Sequence, residues 1–266
     1  MKFFLKLLEL IKMSMKNQLA YVAEIWSCLI VSTLEIIAFY YLWNAVFNEN
    51  HSMKNMTVSQ IITYIILARV LYMQMSWGSN LSISDMIQTG KISMRLLSPI
   101  DFQLSMYMSR IGYFSILVFL QSFPSLIISI MLFGMLPPYS VLNFLCFIVS
   151  IMLSLTIAFL IEFGFGLLTF YTSSGWGLQH MKGAIISIFS GALIPLSFFP
   201  IGLRKIIDLM PFKDIIYTPI SIYMGVISNS QIINALIFQL IWIAVLFLIT
   251  RVFFNIAIRN VTVQGG

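Results

Sequence analysis

Of 266 residues, 60% are hydrophobic and 9% are charged, which leaves too little polar surface to cover a water-soluble fold without large exposed apolar patches. The length suits one helical bundle with short connections and no separate soluble domain, so residues 1–266 read as a single unit. The net charge of +6 sits beside apolar runs and is not interleaved with exposed aromatic side chains, an arrangement that speaks for membrane topology and against nucleic acid.

Residues 1–20 place Lys2, Lys6, Glu9, Lys12 and Lys16 on about a third of a helix circumference, with Phe3, Phe4, Leu7, Leu8, Ile11 and Met15 on the remainder. The charges interrupt any apolar run of signal-peptide type. The pattern predicts an interfacial helix with its lysines toward anionic headgroups; the competing reading is an extension of the first spanning helix. Six apolar stretches follow, at 24–47, 57–78, 103–132, 141–170, 183–201 and 231–255. A helix needs about 20 residues to cross a ~30 Å core, and the fifth stretch is marginal by that measure. The expected fold class is all-α: a polytopic membrane protein with six transmembrane helices.

Between spans 2 and 3, Ser82 followed by Asp85 resembles a capping box, and Pro99 forbids continuation. A short amphipathic helix over residues 82–97 is expected, showing Asp85, Lys91 and Arg95 to the cytoplasm; a solvated linker is the alternative. Pro124 predicts a kink in span 3. Gly134, Pro137 and Pro138 predict a tight outer turn before span 4. After span 5, Pro195, Pro200, Pro211 and Pro219 break any continuous helix in a passage still too apolar for an ordinary loop, so residues 202–225 are expected to form short re-entrant helices in the outer leaflet.

With the N-terminus inside, the inner flanks collect Lys2, Lys6, Lys12, Lys16, Lys91, Arg95, Arg110, Lys182, Arg251 and Arg259, against Lys54, Arg204, Lys205 and Lys213 outside. This bias predicts both termini in the cytoplasm. Tyr40, Tyr41 and Trp43 would close span 1 outside, and Trp26 and Trp77 would mark inner ends.

Charges within spans are costly and usually paired or functional. Glu35 and Arg69 lie halfway along antiparallel neighbours, so an intramembrane ion pair is expected, either fold-specifying or in contact with substrate. Glu162, followed by Gly164 and Gly166, would line an inner cavity or cap a neighbouring helix end. Glu24 should face headgroups or the basic N-terminal helix. Cys28 and Cys146 belong near opposite faces, which excludes a disulfide. His51 and His180 are expected in loops on opposite sides, leaving no shared metal site. The sequence holds no G-x-x-x-x-G-K-[ST], no G-x-S-x-G and no H-E-x-x-H. Without a catalytic or nucleotide motif, no cofactor is expected in this chain, and any uphill transport would draw energy from a partner.

The order of these features resembles the ABC-2 type permeases: a basic interfacial helix, six spans, a cytoplasmic helix with Gly90, Leu96, Leu97, Ser98 and Pro99, and residues 190–200 followed by Pro211 and Phe212. Within that group the chain is most similar to small export permeases encoded beside an ATPase. The resemblance implies a bacterial inner-membrane permease subunit that works as a pair, identical or related, over two ATPase subunits that bind ATP and Mg. It implies that residues 82–97 form the ATPase-coupling helix, with Asp85, Gly90, Lys91, Arg95, Leu96, Leu97 and Pro99 at the contact. It also implies an outer gate at the re-entrant hairpin, with Pro195, Phe198, Phe199, Pro200, Pro211 and Phe212 as candidates. Tyr217, Tyr223, Met73 and Met75 join Phe198 and Phe199 as pathway candidates suited to an apolar or amphipathic substrate. The competing classes are a secondary carrier, which would need ionisable residues near the midplane, and an intramembrane enzyme, which would need a buried histidine or an acid pair.

Overall fold

In a lipid environment every backbone polar group has to be bonded within the protein, which makes helix the default for apolar sequence. The computed structural model describes residues 2–47, 52–53, 56–75, 79–172 and 175–258. His51, Lys54, Trp77 and Arg259 lie outside the described residues. Among those described, the chain forms α1 (Lys2–Leu19), α2 (Val22–Phe47), α3 (Val58–Met75), α4 (Ser79–Gln88), α5 (Lys91–Leu96), α6 (Phe102–Leu117) and α7 (Phe123–Phe133), then α8 (Val141–Leu168), α9 (Gly175–Phe189), α10 (Ile201–Asp208), α11 (Lys213–Tyr223) and α12 (Asn229–Ala257). A two-residue antiparallel pair, Ser52–Met53 with Met56–Thr57, precedes α3.

Five stretches among the described residues are long and apolar enough to cross a membrane: Val22–Val46, Val58–Met75, Phe102–Phe133, Val141–Leu168 and Asn229–Ala257. They correspond to spans 1 to 4 and 6. The expected fifth span, 183–201, is not one helix. α9 starts at Gly175 and stops at Phe189. Gly191 then adopts φ +82°, a backbone state that ends helices, and Pro195 starts a single 3-10 turn, Leu196–Phe198. His180 therefore sits on a helix, beside Trp176 with ring centroids 5.2 Å apart, and not in a loop.

α1 is a separate helix. The chain turns at Ala20 and Tyr21, whose amides bond back to the Asn17 and Gln18 carbonyls, so α1 does not extend α2. Lys6, Glu9, Lys12 and Lys16 are exposed, whereas Leu7, Leu10, Ile11, Ser14, Met15 and Gln18 are half-buried at helical spacing. That half-buried face rests on α6 and not on lipid alone. Ser14 Oγ donates to the Ser109 carbonyl at 2.6 Å, and a Cβ on Gly112 would stand 2.5 Å from the Ile11 carbonyl oxygen. Only glycine permits this approach of two backbones.

Span 3 contains a π turn. Val118–Ser122 is π-helical, and the Phe123 amide bonds to the Val118 carbonyl five residues back. Pro124 follows directly in the first turn of α7. The wider turn accommodates the missing proline N–H and the ring that would meet the Leu120 carbonyl. The helix expected over 82–97 is divided as well. α4 ends at Gln88, Gly90 turns at φ +70°, and α5 resumes at Lys91. Ser82 lies inside α4, whose first residue is Ser79, and not at the helix start expected from the sequence.

The core forms around α11. Ile215, Ile216, Ile220 and Ile222 are fully enclosed and pack with Tyr64, Leu71, Leu155 and Ile161 of α3 and α8. Gln239 of α12, fully buried, donates through Nε2 to the Asp214 carbonyl at 2.9 Å and to Ser154 Oγ at 3.1 Å, and accepts from Ser150 Oγ at 3.0 Å. At the far end of α11, Asn143 Nδ2 donates to the Ile222 carbonyl at 2.7 Å, and the Tyr139 amide donates to Tyr223. A short helix in an apolar surrounding is thus bonded at both ends by side chains and backbone of its neighbours.

Gly112→Ala should force α1 off α6 and lower stability by roughly 1–3 kcal/mol, the range for overpacking a tight contact. In Gly164→Ala the new methyl meets only the Thr250 methyl at 3.6 Å, so little change is expected. Thermal unfolding in detergent, with protease sensitivity of the N-terminal segment, separates the two.

Candidate functional site

The connection between α3 and α6 combines an anchored face with a presented one. Ile83 and Ile92 are buried in a cluster with Phe102, Phe159, Phe163 and Phe254. Asp85, Lys91, Arg95 and Pro99 are exposed, Leu96 is half-buried, and Leu97 is 86% exposed. Gly90 has open space around its missing Cβ, so only its left-handed backbone calls for glycine. Thr89 Oγ1 donates to the Asp85 carbonyl at 2.7 Å and Ser93 Oγ to the Gly90 carbonyl at 2.8 Å, fixing the elbow between the two short helices.

Deeper in the bundle, Arg69 is buried on α3 while its carboxylate neighbour Glu35 has a side chain 39% exposed; Nη1 and Oε2 are 3.8 Å apart. That spacing is an ion pair without a hydrogen bond. The guanidinium donates instead through Nη2 to the Ala192 carbonyl, and it stacks over the Phe39 ring at 4.1 Å. Tyr64 Oη donates to the Gly191 carbonyl at 2.7 Å, and the Tyr217 amide donates to the Ser190 carbonyl at 3.1 Å. The three successive carbonyls that follow α9, those of Ser190, Gly191 and Ala192, are therefore met by an amide, a phenol and a cation. Positive charge at that end also complements the helix dipole.

A second buried pair was not legible as such in the sequence. Lys182 Nζ of α9 donates to Glu162 Oε1 of α8 at 2.8 Å, with both side chains 1% exposed. Arg110, also buried, donates to the Gln74 carbonyl at 2.6 Å, near the C-terminal end of α3. Lys182 and Arg110 were counted above as inner-flank charges; the structure puts both inside the bundle. Glu162 is buried and enclosed against Lys182.

At the opposite end, Pro195 and Pro200 precede the 3-10 turn and α10, and Pro211 is buried in the turn before α11. Phe198 packs on Trp43 at 5.4 Å, Phe212 packs on Phe189 at 6.1 Å, and Phe199 is half-buried. Tyr64, Tyr217, Gln60, Ser197, Ser221 and Arg204 line a cavity of about 210 Å³. Phe198, Phe199 and Phe212 are not among its lining residues, whereas Tyr217 is. Tyr223 is buried and donates to the Leu136 carbonyl at 3.0 Å, and Met75 is enclosed in the core beside the half-buried Met73.

A family model described as ABC-2 family transporter protein matches residues 30–265. The chain belongs to the ABC-2 transporter family. No curated protein matches it. As an ABC-2 permease it is a membrane component of a transporter and not itself a catalyst. The family match begins within α2 and leaves out α1.

Sequence reasoning paired Glu35 with Arg69, which stand 3.8 Å apart, but it missed Lys182 as the partner of Glu162 and the Ala192 carbonyl that Arg69 meets. Gln239, an amide well inside a long apolar helix, was the available signal for the α8–α11–α12 joint. Asp214 heads α11 and is buried; Thr218 Oγ1 donates to its Oδ1 at 2.7 Å, and its Oδ2 has no hydrogen-bond partner. Burial lifts its carboxyl from 3.8 to about 6, with Thr218 and Lys213 opposing the rise.

The folded permease therefore holds a proton at Asp214 that the unfolded chain releases. Its contribution to stability is greatest below the ordinary value of 3.8 and falls as pH rises toward about 6. The expected decline is on the order of 2–3 kcal/mol. Unfolding curves in detergent across this pH window should flatten in Asp214→Asn. At the other buried site, Glu162→Gln or Lys182→Met alone should cost about 3–5 kcal/mol. The double replacement should cost clearly less than the sum, as a double-mutant cycle would read.

Proposed function

We propose that this chain is the membrane half of an ATP-driven exporter, working as a pair of permeases above two ATPase subunits that bind ATP and Mg. Support comes from membership of the ABC-2 transporter family over residues 30–265. One observation carries the reading further: between α3 and α6, a segment of buried isoleucines and exposed charges is anchored to α8 and turns its Asp85, Lys91, Arg95 and Leu97 outward. A segment held on one face and bare on the other can act as a lever for a soluble partner.

In this reading α4 and α5 dock on the ATPase from the cytoplasm, where both termini also lie. ATP favours the closed ATPase dimer, and its differential affinity shifts the permease pair toward an outward-open state. α9 with the irregular stretch to Pro200 crosses the membrane as the fifth, broken span. α10 and α11 form the re-entrant hairpin of the outer leaflet, and Pro195, Phe198, Phe199, Pro200, Pro211 and Phe212 shape the outer gate around Tyr217. Arg69 holds the break in the fifth span in one arrangement, so α9 can transmit motion from the inner end without losing its last carbonyls. The cavity behind Tyr64 and Tyr217, apolar with scattered hydroxyl and amide groups, suits an apolar or amphipathic substrate moved outward across the bacterial inner membrane.

Asp85→Lys and Arg95→Glu should each reduce co-purification with the Walker-motif subunit and ATP-driven transport about tenfold, the effect of losing one charged contact. Both residues are exposed, so detergent unfolding should stay close to that of the unaltered chain. Undiminished assembly and transport with both charges reversed would defeat the lever.

A further inference from the structure

A groove runs between α6, α8 and α12 that no step of the transport reading uses. At its mouth Arg251 donates through Nη1 to Asp101 Oδ2, with both side chains partly exposed. Asp101 is also the N-cap of α6, its Oδ1 accepting from the Leu104 amide at 3.1 Å. From there a cavity of about 440 Å³ extends over Leu104, Phe159, Leu160, Ile243 and Phe247. A second of about 270 Å³ shares Tyr107 with it and continues over Ile111, Phe114, Val118 and Leu155. From Leu104 to Val118 the groove follows α6 for about 20 Å by helical rise. That exceeds the ~15 Å depth of one leaflet, half of a ~30 Å core. In the middle, Tyr107 Oη and Thr156 Oγ1 satisfy each other at 2.7 Å, and Ser115 Oγ donates to the Ile111 carbonyl at 2.8 Å, so the one buried polar side-chain atom of the lining left without a partner among the described residues is Gln103 Oε1, near the mouth.

We infer that this groove binds one zwitterionic phospholipid whose headgroup carries a primary ammonium, with an acyl chain laid along α6. Charge decides the headgroup. Arg251 spends one N–H group on Asp101 and has others for a phosphodiester, and the first amides of α6, without intrahelical partners, add positive potential on the same side. Asp101, half-exposed beside it, offers its carboxylate to an ammonium. A neutral ion pair at the mouth matches a neutral headgroup of opposite polarity and leaves a net anion with an unmatched carboxylate. Size decides against protein: the two adjoining spaces hold about 440 and 270 Å³, enough for a hydrocarbon chain, whereas a 20 Å length of helix about 10 Å across takes up roughly 1,600 Å³. The site does not depend on the exporter reading, because lipid retention needs neither ATPase nor substrate.

The test is native mass spectrometry of the purified full-length chain after detergent exchange, followed by reloading with phosphatidylethanolamine or phosphatidylglycerol. The unaltered chain should keep a single phospholipid adduct and take up the ethanolamine lipid in preference. Arg251→Gln should weaken the adduct about tenfold through the phosphate contact. Leu104→Trp should do so by filling the groove, without touching the ion pair, and it keeps the test open if the arginine variant folds poorly. Preference for phosphatidylglycerol, adducts of equal strength in both variants, or cross-linked pairs of chains from Phe247→Cys, which would mean a second copy covers the groove, would each overturn the assignment.

Discussion

Every unusual feature of this bundle follows from the need to bond backbone groups where water is scarce. A helix that stops inside an apolar core leaves carbonyls without partners, each costing several kcal/mol if nothing meets it. α9 stops there, and the guanidinium of Arg69, the hydroxyl of Tyr64 and the amide of Tyr217 are the groups that make the stop possible. The same constraint explains Gln239 and Asn143, which serve the two ends of α11 from neighbouring helices. Polar side chains in this permease are chiefly partners of broken backbone, and their positions trace where the helices are interrupted.

This view changes the meaning of the charges. Glu35 approaches Arg69, but the hydrogen bond goes to a carbonyl, so the arginine is chiefly a cap and the glutamate a half-exposed counter-charge. Lys182 and Glu162 enclose each other between α8 and α9. Breaking such a pair is more costly than never having made it, which ties the inner half of α9 to α8 while its other end is held by α3. A short helix fixed at two points to two different neighbours is a suitable element for carrying motion between the two sides of the bundle.

Close backbone contacts set a second constraint. Gly112 admits the Ile11 carbonyl, and span 3 contains the π turn before Pro124. Both involve the helix that α1 rides on. The N-terminal helix is thereby packed against a spanning segment, with Lys6, Lys12 and Lys16 left exposed.

Composition and periodicity were enough to establish an all-helical membrane protein, to position five long spans within a few residues, and to divide α1 into charged and apolar faces, because length, hydropathy and helical spacing are local properties of the chain. Pro99, Pro124, Pro195, Pro200 and Pro211 likewise marked interruptions, since backbone restriction belongs to the residue itself, whereas Pro219 lies inside the continuous α11 and Gly90 divides a helix expected to run unbroken over 82–97. What closes each break was decided only in three dimensions. Arg69 meets Ala192 and Tyr64 meets Gly191 across more than a hundred residues of chain, and Lys182 turned inward to Glu162 though its sequence neighbours suggested an inner flank. A charge reads the same in sequence whether it faces headgroups or a buried carboxylate. Only the packing of helices determines which of the two it meets, because that depends on the rotation and depth of neighbouring helices, and no local pattern encodes either.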